Sequence, residues 1–308
     1  GSFMDERIVK LSFLGPVHFG EGRLSGSGYT FDAATFFSAL YLEALRLGCA
    51  QELLTAVQCG DIAFSDAFPY VGDMLYLPKP MMRPAKRPEA SDSRARKAAK
   101  KLNYIPADKL GDYLAGSLDS VEENNRFDVG VLDVQTKVNL TREHLKDAEP
   151  YHVGSFSFKP DTGVYVVLRG SFTGLEDLLL QLGYSGIGGK RSSGFGRFEF
   201  SIEPLNLKGL SPAKAASSSR YLLLSTATPT QAELSDALLA GSHYKLVRRG
   251  GFVQSTTHHA TPQKKRDLYL FAAGSVFAHT FAGDVFDVNA TPGAHSVFRY
   301  ARAMWMEV

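Results

Sequence analysis

Residues 183–200 read GYSGIGGKRSSGFGRFEF. Gly186, Gly188, Gly189, Gly194 and Gly196 enclose Lys190, Arg191, Ser192, Ser193 and Phe195. Glycine removes Cβ, so backbone N–H groups in such a loop can approach a phosphate or ribose closely. Lys190 and Arg191 add positive charge, Ser192 and Ser193 add short donors, and Phe195 offers a face for a base. The competing reading is a loop packed tightly against a neighbouring sheet, which needs no ligand. A second segment, Arg248-Arg249-Gly250-Gly251-Phe252, repeats the combination of cations, glycines and an aromatic. Two such segments flanking one groove would suit an extended polyanion.

Known phosphate motifs fit the first segment poorly. A P-loop needs Gly, four residues and then Gly-Lys-Ser/Thr. Tyr184 stands where the first glycine belongs, and Arg191 succeeds the lysine. A dinucleotide fingerprint needs GxGxxG between a strand and a helix. Here the third glycine position is Arg191, and the residues behind the loop read as a strand. The RNA-recognition signature does better: Gly194-Phe195-Gly196 with Phe200 behind it matches its Gly-aromatic-Gly core, while Ser193, Arg197 and Phe198 depart from it.

Titratable residues give no catalytic or metal set. His18 stands alone after the first strand, where a turn hydrogen bond or a stacking surface for a base explains it. Adjacent His258 and His259 point to opposite faces of an extended segment. HxH and HExxH are absent, and no cofactor is implied. Asp32, Asp61, Asp66 and Asp73 are scattered and read as caps or turn residues.

The elements that must position these segments are legible in outline. Val9, Leu11 and Phe13 alternate as a half-buried strand. Asp32 caps a helix with an apolar stripe at Phe36, Phe37, Leu40, Tyr41, Ala44 and Leu45, stopped by Gly48. Residues 62–77 read as a hairpin turning near Gly72-Asp73. Strand signals return in VGVLDVQTKVNL, VGSFSF and VYVVLRG, and the helix LEDLLLQLG leads into the glycine loop. Phe198, Phe200 and Ile202 alternate behind it. Residues 204–219 read as a linker. Beyond it, YLLLS is a strand, Thr230 and Glu233 form a capping box for a helix closed by Gly241, and three further strand segments complete the chain. The reading is an α+β chain of two ferredoxin-like (RRM-like) βαββαβ domains, 1–205 and 206–308.

Bulk properties agree with this. A chain of 308 residues is long for one core. With 44% apolar and 21% charged residues it reads as globular, and no apolar run approaches a membrane span. Gly1-Ser2-Phe3-Met4 reads as a cloning remnant ahead of a native Met4. Two cysteines without a CxxC suit a reducing cytoplasm. Net charge is only +2, but Lys79–Lys101 carries nine basic residues against two acidic ones, a local +7. That stretch, within an insertion at about 79–127, reads as a solvated arm or as one that meets phosphates.

These segments together resemble the RAMP superfamily of CRISPR ribonucleoproteins, in particular the subunit of type III-A (Csm) effector complexes that caps the CRISPR RNA (crRNA). The resemblance is carried by GPVHFGEG (15–22), FFSALYLEAL (36–45), GIGGKRSSGFGRF (186–198), RRGGFV (248–253) and GSVF (274–277). It implies two facing ferredoxin-like domains with the repeat-derived 5′ tag of the crRNA between them. It also implies a thumb insertion, placed at 79–127, and a position joining the large polymerase-like subunit to the first RAMP backbone subunit. Gly186 to Gly196 would carry the tag contacts. Lys137, Arg142 and Arg169 are further candidates from charge near strand ends. Some RAMP proteins cleave precursor crRNA with an early histidine as general base, so His18 defines the alternative, a metal-independent endoribonuclease. The reading preferred is a non-catalytic RNA-binding and assembly subunit.

Overall fold

The computed structural model describes residues 5–20, 28–82, 93–137, 151–205, 220–253, 263–289 and 297–308. A six-stranded sheet forms from β1 (Glu6–Phe13), β2 (Ile62–Val71), β3 (Met74–Pro78), β4 (Tyr104–Pro106), β7 (Thr162–Gly170) and β8 (Phe198–Pro204), ordered β4-β3-β2-β7-β1-β8. Each neighbouring pair is antiparallel. Alternation along the central strands sends side chains to two different cores. Val9, Leu11, Ile62, Phe64, Val164, Val166 and Leu168 face helices α1 (Ala33–Leu47), α2 (Ala50–Cys59) and α6 (Leu175–Ser185). Ile8, Phe68, Tyr70, Tyr165 and Val167 face the other way.

Asp32 caps α1 by accepting from the Thr35 N–H, and Gly48 ends it with φ of 78°. The chain does not leave the helical layer there. α2 starts at once, carried by Leu53, Leu54, Ala56 and Val57, and Gly60 ends it in the same left-handed way.

The 79–127 insertion folds as packed structure where it is described. It holds β4 and helices α3 (Ser93–Lys101), α4 (Leu110–Ala115) and α5 (Ser120–Arg126). The Lys79 ammonium donates to the Ala99 carbonyl and Asn124 to the Ala98 carbonyl, pinning α3 by its backbone. Glu123, buried, takes the Lys109 ammonium at 2.6 Å. The next two strands, β5 (Gly130–Lys137) and β6 (Tyr151–Phe158), pair as a separate hairpin. Its base joins the chain after β1 through reciprocal bonds between Val17 and Phe156.

Residues 220–308 do not form a second four-stranded sheet among the described residues. β9 (Tyr221–Leu223), β12 (Val276–Phe277) and β15 (Trp305–Glu307) make a three-stranded sheet. β10 (Leu246–Val253) pairs with β11 (Gln263–Phe271), and β13 (Val285–Asp287) with β14 (Phe298–Tyr300). The physical reason lies in the core: Leu222, Leu224, Val276 and Met304 cover the second face of the large sheet. Val285 and Tyr300 enter the helix-side core. The capping box also differs from expectation. Thr230 and Glu233 exchange the expected bonds, but the helix α7 (Asp236–Leu239) starts from Ser235. Glu233 instead also accepts from the Ala282 and Gly283 amides.

A bulge in β2 joins the halves. The β2–β7 register shifts between Phe64 and Ala67. Asp66 donates its N–H to the Leu224 carbonyl at 2.9 Å. Its carboxylate accepts from the Ala33 N–H, the Thr226 N–H and the Thr226 hydroxyl. Phe64 donates its N–H to the Tyr300 hydroxyl at 3.0 Å. Among the described residues no helix is long and apolar enough to cross a membrane.

Candidate nucleic-acid interface

The glycine loop is docked on the segment just after β1. Ile187 donates to the Gly196 carbonyl at 3.0 Å, closing the neck of the loop. Gly196 donates to the Pro16 carbonyl at 3.0 Å and Gly189 to the His18 carbonyl at 2.6 Å. A Cβ on Gly196 would stand 2.0 Å from the Ile187 carbonyl oxygen, and one on Gly186 2.6 Å from that of Phe195. At Gly188 and Gly189 it would meet the His18 carbonyl and the His18 ring, each at 2.6 Å. Internal packing therefore accounts for these four glycines. Gly194 differs: its φ is +85°, and nothing lies within 4 Å of its Cβ position.

The loop tip is the part that faces outward. Lys190 adopts φ 57°, and its carbonyl accepts from Ser193 and Phe195. Arg191, Ser192 and Ser193 form one exposed 3-10 turn. The Lys190 ammonium lies 5.6 Å from the centre of the half-buried Phe195 ring. Two cations, two hydroxyls and one aromatic face thus share a short rigid turn, which suits a ribose-phosphate strand. Phe198 and Phe200 do not extend this surface, because both pack toward the helix-side core. The RNA-recognition signature therefore ends at Phe195.

His18 is a structural centre of the same surface. Its Nδ1 is hydrogen-bonded to the Gly154 carbonyl of β6. Ring and carbonyl together tie the hairpin β5–β6 to the glycine loop. Phe19 packs edge-on against Phe31, at 5.1 Å between ring centres. Phe31 precedes Asp32, and Asp32 pairs with the Arg249 guanidinium at 3.1 Å. The glycine loop and the Arg248–Phe252 segment are therefore linked through residues 15–19 and 28–32.

The second segment forms the middle of β10. Its register against β11 shifts between Arg249 and Gly251, so the glycine pair makes a β-bulge. Arg248 is exposed and lies opposite the exposed Tyr269. Gly250, Gly251 and Phe252 are placed by their backbone in the strand. Lys137 is the last residue of β5, and Arg142 lies outside the described residues. Arg169 is committed elsewhere, bonded to Glu6 at 2.7 Å. Of the basic insertion, Lys97, Lys100 and Lys101 belong to α3, where Lys100 and Lys101 close the last turn, whereas Lys79 is internal and burial lowers its pKa.

Asp66 and Arg299 were not legible as part of this surface. Asp66 reads from sequence as a turn residue; it is a buried carboxyl group. Burial, together with the negative charge of Asp32, pushes its pKa up to about 7. The signal is Ser65-Asp66 interrupting an otherwise apolar strand. Arg299 has no such signal. Among the described residues no three His, Cys, Asp or Glu side chains gather as a metal site.

An antiparallel α+β core bearing a glycine- and cation-rich loop defines a RAMP-type CRISPR protein. Residues 216–308 match the family model described as CRISPR Csm4 C-terminal domain. A Mycobacterium tuberculosis protein described as "CRISPR system Cms protein Csm4" is 40% identical over 306 residues, covering 98% of each chain. One of the same description from Streptococcus thermophilus is 37% identical over 300 residues, 94% of this chain and 95% of that one. The chain belongs to the Csm4 family. Its fold matches a solved Csm1-Csm4 cassette in complex with pppApA, with TM-score 0.64, 19% identity and coverage of 98% and 97%. It also matches a Csm3-Csm4 subcomplex of a type III-A interference complex, with TM-score 0.63, 16% identity and coverage of 98% and 99%.

Proposed function

We propose that this chain is the non-catalytic subunit that holds the repeat-derived 5′ tag of the crRNA in a cytoplasmic type III-A CRISPR effector complex. The observation that carries this is the outward turn Lys190–Phe195, rigidly seated on His18 and linked through Asp32 to Arg249. Cations held on short, well-anchored turns recognise a phosphate backbone at little entropic cost. In this reading the chain also joins the polymerase-like Csm1 subunit to the Csm3 backbone, the two partners with which related proteins have been solved. The first domain, 1–205, is ferredoxin-like: β1, α1–α2, β2, β7, α6 and β8 supply its βαββαβ order, with β2-β7-β1-β8 as its sheet. The second, 206–308, is a reduced version whose strands lie against the first sheet. The insertion at 79–127 serves as the thumb.

Residue chemistry favours this over the endoribonuclease reading. The His18 ring is held by Gly154 on one side and Gly189 on the other. General acid–base cleavage needs a positioned acid or oxyanion donor beside the base. The decisive experiment is salt-dependent protection of the 5′ tag in the assembled particle. Lys190→Ala with Arg191→Ala weakens it and flattens its dependence on log salt by about 2, one per lost phosphate contact. Unchanged protection and slope would refute the assignment.

A further inference from the structure

Asp32 divides its carboxylate between two tasks. Oδ1 accepts from the N–H and hydroxyl of Thr35, which caps α1. Oδ2 lies 3.1 Å from Nε of Arg249. A second guanidinium shares this field. Phe298 and Tyr300 of β14 pack on Tyr41 and Phe37 of α1. Arg299 between them therefore turns to the opposite face. Its cross-strand neighbour Phe286 packs there with Val247, Leu268 and Leu270 of the β10–β11 hairpin. Nε of Arg299 is sealed from solvent and makes no hydrogen bond. Asp32 favours the Arg299 cation, while burial and the like charge of Arg249 oppose it.

This leaves two guanidiniums around one carboxylate that is already half used. The next acid inward, Asp66, is occupied by Ala33 and Thr226. A buried guanidinium donor without an acceptor costs free energy, and one more anion would satisfy it. A phosphodiester fits: its two free oxygens match a pair of arginine forks. We propose that Arg249 and Arg299 form a phosphodiester subsite for single-stranded RNA, with Asp32 as the internal anion that the phosphate displaces from Arg249. This rests on the crRNA reading above and adds Arg299, which that reading does not contain. On RNA binding Asp32 keeps its capping bonds and gives up its ion pair.

The test is hydroxyl-radical protection of the crRNA 5′ tag in the assembled effector particle, measured through a KCl titration. Arg299→Gln shifts loss of protection to lower KCl and flattens the dependence on log salt by about 1. Asp32→Asn keeps an equally good helix cap but removes the competing charge, so protection survives to higher KCl. That gain cannot come from misfolding, so it stands as the check should the Arg299→Gln variant fail to assemble. If Lys190→Ala with Arg191→Ala weakens protection while Arg299→Gln and Asp32→Asn behave as wild type, the subsite is wrong and the crRNA reading survives. If none of the variants changes protection, both fail. If Arg299→Gln leaves the tag protected but abolishes retention of added ATP, the site binds a free nucleotide and the RNA assignment is overturned.

Discussion

Asp66 accepts hydrogen bonds from both the backbone N–H and the hydroxyl of Thr226, at 2.8 and 2.7 Å. The two residues lie 160 positions apart, on opposite sides of the segment read as a linker. A single buried carboxyl group thus bolts the β2 bulge to the start of the C-terminal region. Because burial raises its pKa, the native state holds a proton that the unfolded chain releases near pH 4. Its contribution to stability is complete below about pH 4 and is lost as the pH rises to about 7.

Asp66→Asn should remove that dependence. Asparagine mimics the neutral carboxyl group and can still serve Thr226 and Ala33. Thermal melts of both proteins between about pH 4.5 and 8 should show the wild type losing ground as the pH rises, with the variant nearly flat. Parallel curves would refute the assignment of the titrating group.

The glycines of the loop should fall into two classes. Gly194→Ala meets open space and costs only the left-handed strain of about 1 kcal/mol. Gly196→Ala drives a methyl group into the Ile187 carbonyl and breaks the neck, at about 3 kcal/mol or more. Denaturant titration of the two variants decides it, and equal destabilisation would contradict the packing described.

His18→Ala should act on architecture and not on chemistry. Loss of the bond to Gly154 costs about 1–2 kcal/mol and loosens the link between hairpin and loop. Repeat RNA incubated without metal should stay intact with either protein. Specific cleavage by the wild type that vanishes in the variant would establish the endoribonuclease instead.

Tyr300→Phe tests the second tie at the bulge. The Phe64 N–H loses its acceptor in a fully buried place, which costs about 1–2 kcal/mol with side-chain volume almost unchanged. An unchanged melting temperature would show that the amide finds another partner.

Local sequence determined much of this protein. Period-two alternation placed β1 and β8, and the Asp32 cap with Gly48 delimited α1, because these signals act within a few residues. The glycine loop was recognisable by composition, and its resemblance marked the family. Composition left open the use of each glycine, since a Cβ clash depends on which backbone lies opposite. Only the tertiary structure set Gly194 apart from the other four. Only it brought Asp32, Arg249 and Arg299 together, from three segments distant in the chain. Likewise, the strands after residue 220 carry ordinary β signals. Yet Leu222, Leu224 and Met304 bury themselves against the first sheet, because covering its second apolar face outweighs completing a small sheet of their own.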